Sequence, residues 1–87
     1  MVNVVIPTML RKKCNNINNI DVYGSNLREI INNLELHCPG IEEILVYEKL
    51  INPGIQIAIN GEPVTTGLST IVPEDAEINI IPAISGG

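Results

Sequence analysis

Between Ser25 and Gly40 the chain carries "SNLREIINNLELHCPG", its one clear run of apolar residues at helical spacing. Leu27, Ile30, Ile31, Leu34 and Cys38 fall on one side of a 3.6-residue repeat, while Arg28, Asn32 and Glu35 fall on the other. Asn26 is placed to cap the first turn with Glu29 three positions on, and Pro39-Gly40 stops the helix. One amphipathic helix cannot bury its own apolar side, so the flanking segments must supply a surface for it.

Those segments read as strands. "VNVVIP" is rich in β-branched residues and stops at Pro7, which cannot donate to a central ladder. "TMLRKKCNNINN" is polar and Asn-rich and reads as a long hairpin connection to a second, antiparallel strand in "IDVYG". After the helix, Ile41, Ile44 and Leu45 suit a short helical turn before Pro53-Gly54 breaks the chain. "IQIAI" is a strand, and Asn60-Gly61 is a strong type I′ hairpin signal leading to a short edge strand in "EPV". The run "EINIIPAI" places Ile78 and Ile80 inward against Glu77 and Asn79 outward.

The chain has 87 residues, 45% of them hydrophobic, yet no Phe or Trp, so one core of Ile, Leu and Val is expected. The element order is that of an α+β, ubiquitin-like β-grasp: a mixed sheet of about four to five strands with one main helix across it. Residues 1–82 are expected to form this domain and residues 83–87 a flexible C-terminal tail ending in Gly-Gly.

Several function classes are disfavoured. A net charge of −5 does not suit phosphate backbones, so no nucleic-acid partner is expected. No apolar run approaches the length of a membrane span and no secretory pattern opens the chain, so a cytoplasmic protein without a membrane partner is expected. Cys14 and Cys38 are too few and too widely spaced for a disulfide framework; they read as reduced thiols, with Cys38 buried on the helix. His37 beside Cys38 points about 100° away from it, which does not suit a nucleophile–base pair, and one His with two scattered Cys does not make the usual four-ligand metal site. Glu42-Glu43 and Glu74-Asp75 read as solvated surface charge. No catalytic or metal-ligating residue is therefore expected.

The tail is different. Pro82 removes a backbone donor, and the five residues beyond it can reach roughly 15 to 18 Å, enough to enter another protein's active site. Lacking Cβ atoms, Gly86 and Gly87 make the thinnest possible peptide and present an unhindered carboxylate. Ile84, Ser85 and Gly86 would thread into the partner, with Gly87 at the reacting end.

With "VNVVIPTMLR", the capped helix, "IAINGEPV" and "EINIIPAISGG" together, the chain resembles the ubiquitin-like sulfur-carrier family across essentially its whole length. That family includes the small subunit of molybdopterin synthase and the thiamine-pathway carrier. "IPTMLR" with "IPAISGG" looks most like the branch that supplies sulfur for cysteine biosynthesis. The resemblance implies that Gly87 is adenylated with ATP by an E1-like enzyme and converted to a thiocarboxylate. It implies a non-enzyme that binds no cofactor itself, and a second partner that uses the sulfur: a sulfhydrylase or a molybdopterin synthase large subunit. Arg11 through Asn19 is longer and more Asn-rich than a minimal family hairpin, and Ser85 stands where small apolar residues are common.

A molybdopterin or thiamine-type carrier is an alternative within this class; a protein modifier forming isopeptide bonds, or an inert β-grasp interaction domain, lies outside it. Two surface expectations accompany the carrier reading. An apolar docking patch rimmed by acids is expected on the sheet face opposite the helix, on the strands carrying Ile55, Ile57, Ile59, Ile78 and Ile80, with alternate positions of each strand facing the core. Glu62, Glu74, Asp75 and Glu77, all in the half of the chain leading to the tail, are expected to set a negative field at the tail's base and to select a basic partner.

Overall fold

The computed structural model describes residues 1–82. Its elements in chain order are β1 (Val2–Val5), a 3-10 helix (Thr8–Cys14), β2 (Asn19–Val22), α1 (Leu27–His37), α2 (Ile41–Leu45), β3 (Val46–Tyr47) and β4 (Leu50–Ile51). β5 (Ile55–Ile59), β6 (Glu62–Pro63), a second 3-10 turn (Gly67–Ser69) and β7 (Glu77–Pro82) follow. Five strands form one mixed sheet in the order β2-β1-β7-β5-β6. β7 runs parallel to β1 on one side and antiparallel to β5 on the other, which is the β-grasp arrangement expected from the element order.

Local chemistry sets the helix. The Asn26 side chain accepts from the Glu29 backbone N–H at 2.9 Å. The Glu29 carboxylate in turn accepts from the Ser25 N–H at 2.8 Å and the Ser25 hydroxyl at 2.9 Å, so otherwise orphaned donors of the first turn are satisfied. Leu27, Ile30, Ile31 and Leu34 are buried against the inner face of the sheet, where Val2, Val4, Val22, Ile57, Ile78 and Ile80 meet them. Each such aliphatic side chain contributes about 1.5–3 kcal/mol on burial. At the far end Gly40 has φ 93°, a left-handed conformation that turns the chain into α2.

Three local features depart from the sequence expectations. The connection after β1 is not irregular throughout: Thr8–Cys14 forms a 3-10 helix whose Leu10 and Cys14 enter the core. β3 and β4 form a separate antiparallel hairpin, turning through Glu48 and Lys49 at φ 52° and 68°. No Asn or Gly marks that turn, so its sequence signal was weak. Most consequential, Cys14 and Cys38 are not reduced thiols. They form a disulfide, with their Cα atoms 4.4 Å apart and both side chains wholly buried. Their separation of 24 residues said nothing of this, because only the packing of the 3-10 helix against the end of α1 brings them together.

Candidate functional site at the end of the central strand

β7 lies in the middle of the sheet and ends at Pro82, which stands opposite Ile55 in the register. The expected site residues Ile84, Ser85, Gly86 and Gly87 lie outside the described residues. What the structure defines is the platform from which they continue.

That platform is held by an asparagine that sequence reasoning passed over. The Asn52 amide donates to the Ile44 carbonyl at 2.9 Å and accepts from the Gly54 N–H at 2.8 Å. Its backbone N–H reaches the Leu45 carbonyl, and its own carbonyl accepts from Ile55 N–H at 2.9 Å. Asn52 therefore pins the turn that starts β5 directly across from Pro82. "NPG" was legible as a turn, but its long-range tie to α2 was not.

On the other side of β7, β1 points the same way and hands over at Pro7 to the 3-10 helix. Arg11, Lys12 and Lys13 ride on that helix, so this basic run belongs to the same end of the sheet as Pro82. Arg11 Nε donates to the Ile6 carbonyl at 3.1 Å, while Lys12 and Lys13 are exposed. Lys13 Nζ passes over Gly40, 3.2 Å from where a Cβ would stand. The Cys14–Cys38 bridge immediately follows the run and ties it to the end of α1. Glu35, on α1, accepts from the Gly40 N–H at 2.8 Å and the Glu42 N–H at 2.9 Å. These bonds, with a smaller contribution from nearby Lys13, hold its carboxyl below the usual range.

The four acids expected around the tail's base are elsewhere. Glu77 begins β7 and Pro82 ends it, so a strand length of roughly 17 Å separates the acids from the tail. Asp75 faces the Met1 ammonium at 3.6 Å, and Glu62 follows the Asn60-Gly61 turn, whose Asn60 N–H bonds the Glu77 carbonyl. Sequence proximity to the tail misled here, because a strand carries its two ends to opposite edges of the sheet.

The expected docking patch is also corrected. Ile55, Ile57, Ile78 and Ile80 are buried on the helix side, and Ile59 is half-buried against the same core. The opposite face presents Asn3, Val5, Gln56, Glu77, Asn79 and Ile81, a mixed surface on which Ile81 is 45% exposed. Period-two alternation sends every one of those isoleucines inward once the helix claims one face.

Among the described residues no group of three His, Cys, Asp or Glu side chains is arranged to hold a metal, and no helix is long and apolar enough to cross a membrane. Cys14 and Cys38 are bound to each other, so neither is a free nucleophile beside the exposed His37.

Comparison with known proteins gives a consistent picture. A chain of the Amycolatopsis orientalis BexX/CysO complex superposes with TM-score 0.95 at 32% identity, covering 100% of both chains. CysO of Mycobacterium tuberculosis gives 0.89 at 28% identity, over 97% of this chain and 100% of that one. The small archaeal modifier protein 1 of Methanosarcina acetivorans shares the fold, with TM-score 0.83 at 23% identity over 99% and 95% of the two chains. Compared by sequence with curated proteins, the chain gives no significant match. The ThiS family model matches residues 12–87, nearly the whole length including the Gly-Gly end. With the mixed five-stranded sheet beneath that match, the chain belongs to the ThiS family, small ubiquitin-like sulfur carriers.

Proposed function

We propose that this chain carries sulfur on its C-terminal glycine, Gly87, and delivers it to cysteine biosynthesis. The single observation behind this is that a ThiS-family β-grasp directs its central strand toward a terminus that reads Ile84-Ser85-Gly86-Gly87. Residues 1–82 serve as the body and 83–87 as the arm that enters a partner's active site. The likeness to two CysO proteins supports cysteine as the destination. That a similar chain is found in a complex with BexX supports hand-over to a separate protein.

The chemistry follows from the carboxylate. A carboxylate is a poor electrophile until one oxygen becomes part of a leaving group. An E1-like enzyme joins the Gly87 carboxylate to the AMP portion of ATP, releasing pyrophosphate. Sulfide then attacks the carbonyl carbon and AMP departs, leaving a thiocarboxylate. A persulfide donor would first give an acyl disulfide, which a thiol cleaves to the thiocarboxylate while forming a disulfide with the donor sulfur. The ATP site and the catalytic groups belong to the partner, and this chain acts as co-substrate with no turnover of its own.

Use of ATP and sulfide donors puts this work in the cytoplasm. The disulfide stands against that placement, since cytosolic thiol pools favour reduced cysteines. Its complete burial answers the objection kinetically, because a thiolate must reach a sulfur to exchange with it.

The test is intact-mass analysis of the full chain after incubation with an E1-like adenylating enzyme, ATP and sulfide. Replacement of one terminal oxygen by sulfur is the expected product. Stable adducts on lysines of other proteins, with no thiocarboxylate, would instead make the chain a protein modifier. An unchanged mass in every arm would leave an interaction domain.

A further inference from the structure

We infer that the basic run Arg11-Lys12-Lys13 is a docking collar at the base of the tail, and that the enzyme activating Gly87 meets it with an acidic rim around its tail channel. This rests on the carrier reading above and adds the chemistry of the partner surface.

The charge distribution is opposed along β7. At the strand's start lie Glu62, Glu74, Asp75 and Glu77, and among the described residues the one ion pair they make is that of Asp75 with the Met1 ammonium. At its finish lies the 3-10 helix carrying three consecutive cations in a chain with only five Lys and Arg. Among the described residues none of the three is in an ion pair within 4.0 Å, the two such pairs being Met1–Asp75 and Arg28–Glu42. Of the acids on α1 and α2, Glu42 is paired with Arg28, and Glu35, which feels the Lys13 charge, is occupied by two backbone N–H groups. Lys12 and Lys13 thus keep exposed charge toward the end from which the tail continues.

The run is also held in place. Leu10 and Cys14 are buried on either side of it, Arg11 is bonded to the Ile6 carbonyl, and the disulfide fixes its last residue to α1. Cations carried on a 3-10 helix anchored by buried side chains lose less backbone entropy on pairing than cations on a mobile loop. A negative partner surface would attract this end and repel the acidic end, so the molecule would arrive tail first.

The experiment is ATP–pyrophosphate exchange by the purified E1-like adenylating enzyme of the same organism, with the full chain as substrate across a salt series. Lys12→Glu/Lys13→Glu is compared with Glu74→Lys/Asp75→Lys and wild type, each checked for an unchanged thermal midpoint. Arg11 is spared because its side chain bonds the backbone. At low salt the lysine reversal should raise KM for the carrier by about tenfold or more with kcat unchanged. The reversal at the acidic end should leave KM within about twofold or lower it, and rising salt should raise KM for wild type. Equal KM in all three proteins, or a lower KM after lysine reversal, overturns the collar while leaving the carrier function standing. If wild type itself supports no exchange, the carrier reading fails and the collar with it.

Discussion

Reduction of the Cys14–Cys38 bridge should destabilise the fold strongly. The bridge spans 24 residues and encloses β2 and all of α1, so it restricts a large part of the unfolded chain. Loop-closure entropy for that separation is about 12 cal/mol/K, or about 3.5 kcal/mol at 25 °C. For a domain of this size that corresponds to a fall of roughly 15–25 °C in thermal midpoint. Both sulfurs are buried in an apolar cluster, so the reduced thiols must part to van der Waals contact there, and any repacking adds to the entropic loss. The assay is thermal unfolding of the oxidised and fully reduced wild type, with Cys14→Ala/Cys38→Ala as a second reduced-state analogue. Alkylation of the unfolded, unreduced protein followed by intact-mass analysis counts free thiols independently. Coincident midpoints for oxidised and reduced protein would refute the entropic reasoning, and two alkylated thiols without prior reduction would refute the bridge itself.

Four further outcomes are expected. Deleting Gly86 and Gly87 should leave the thermal midpoint unchanged and abolish adenylation, and a marked loss of stability would show that these residues support the domain. Gly24→Ala should destabilise by about 1–3 kcal/mol in urea titration, because the new Cβ would stand 2.7 Å from Ile30 Cδ1 and 3.0 Å from the Ile30 backbone nitrogen. Asn26→Ala should cost about 1 kcal/mol through loss of the bond to Glu29 N–H, read as a lower denaturation midpoint; an unchanged midpoint would show that the Ser25–Glu29 bonds alone cap the helix. Bonds from Ser25 lower the Glu29 pKa, and those from Gly40 and Glu42 lower that of Glu35, below the ordinary 4.5. Below that value the unfolded chain takes up protons first, so their stabilisation is present above about pH 4.5 and is lost as pH falls through the folded values. Denaturation of Glu29→Gln/Glu35→Gln should accordingly show a flatter pH dependence below pH 5 than wild type, and parallel curves would contradict this.

Much of the scaffold was legible because it depends on local periodicity and local capping. Helix α1, its Asn26 cap, the Asn60-Gly61 turn and the inward Ile78 and Ile80 all follow from neighbours within a few residues. The role of the Gly86-Gly87 end rests on the sequence alone, because those residues lie outside the described ones. Register, parallel pairing and long-range proximity are properties of no short stretch, and only the tertiary structure decided them. It joined Cys14 to Cys38 across 24 residues, and it used Asn52 to tie the start of β5 to α2. It also reversed the expected electrostatics. Glu74, Asp75 and Glu77 are near the tail in sequence but a strand away from Pro82 in space, whereas the segment carrying Lys12 and Lys13, some seventy positions earlier, leaves β1 at the end of the sheet where β7 finishes. Parallel pairing of the first and last strands is the physical reason: it brings the segment after β1 to the edge where β7 ends and leaves the segment before β7 at the other.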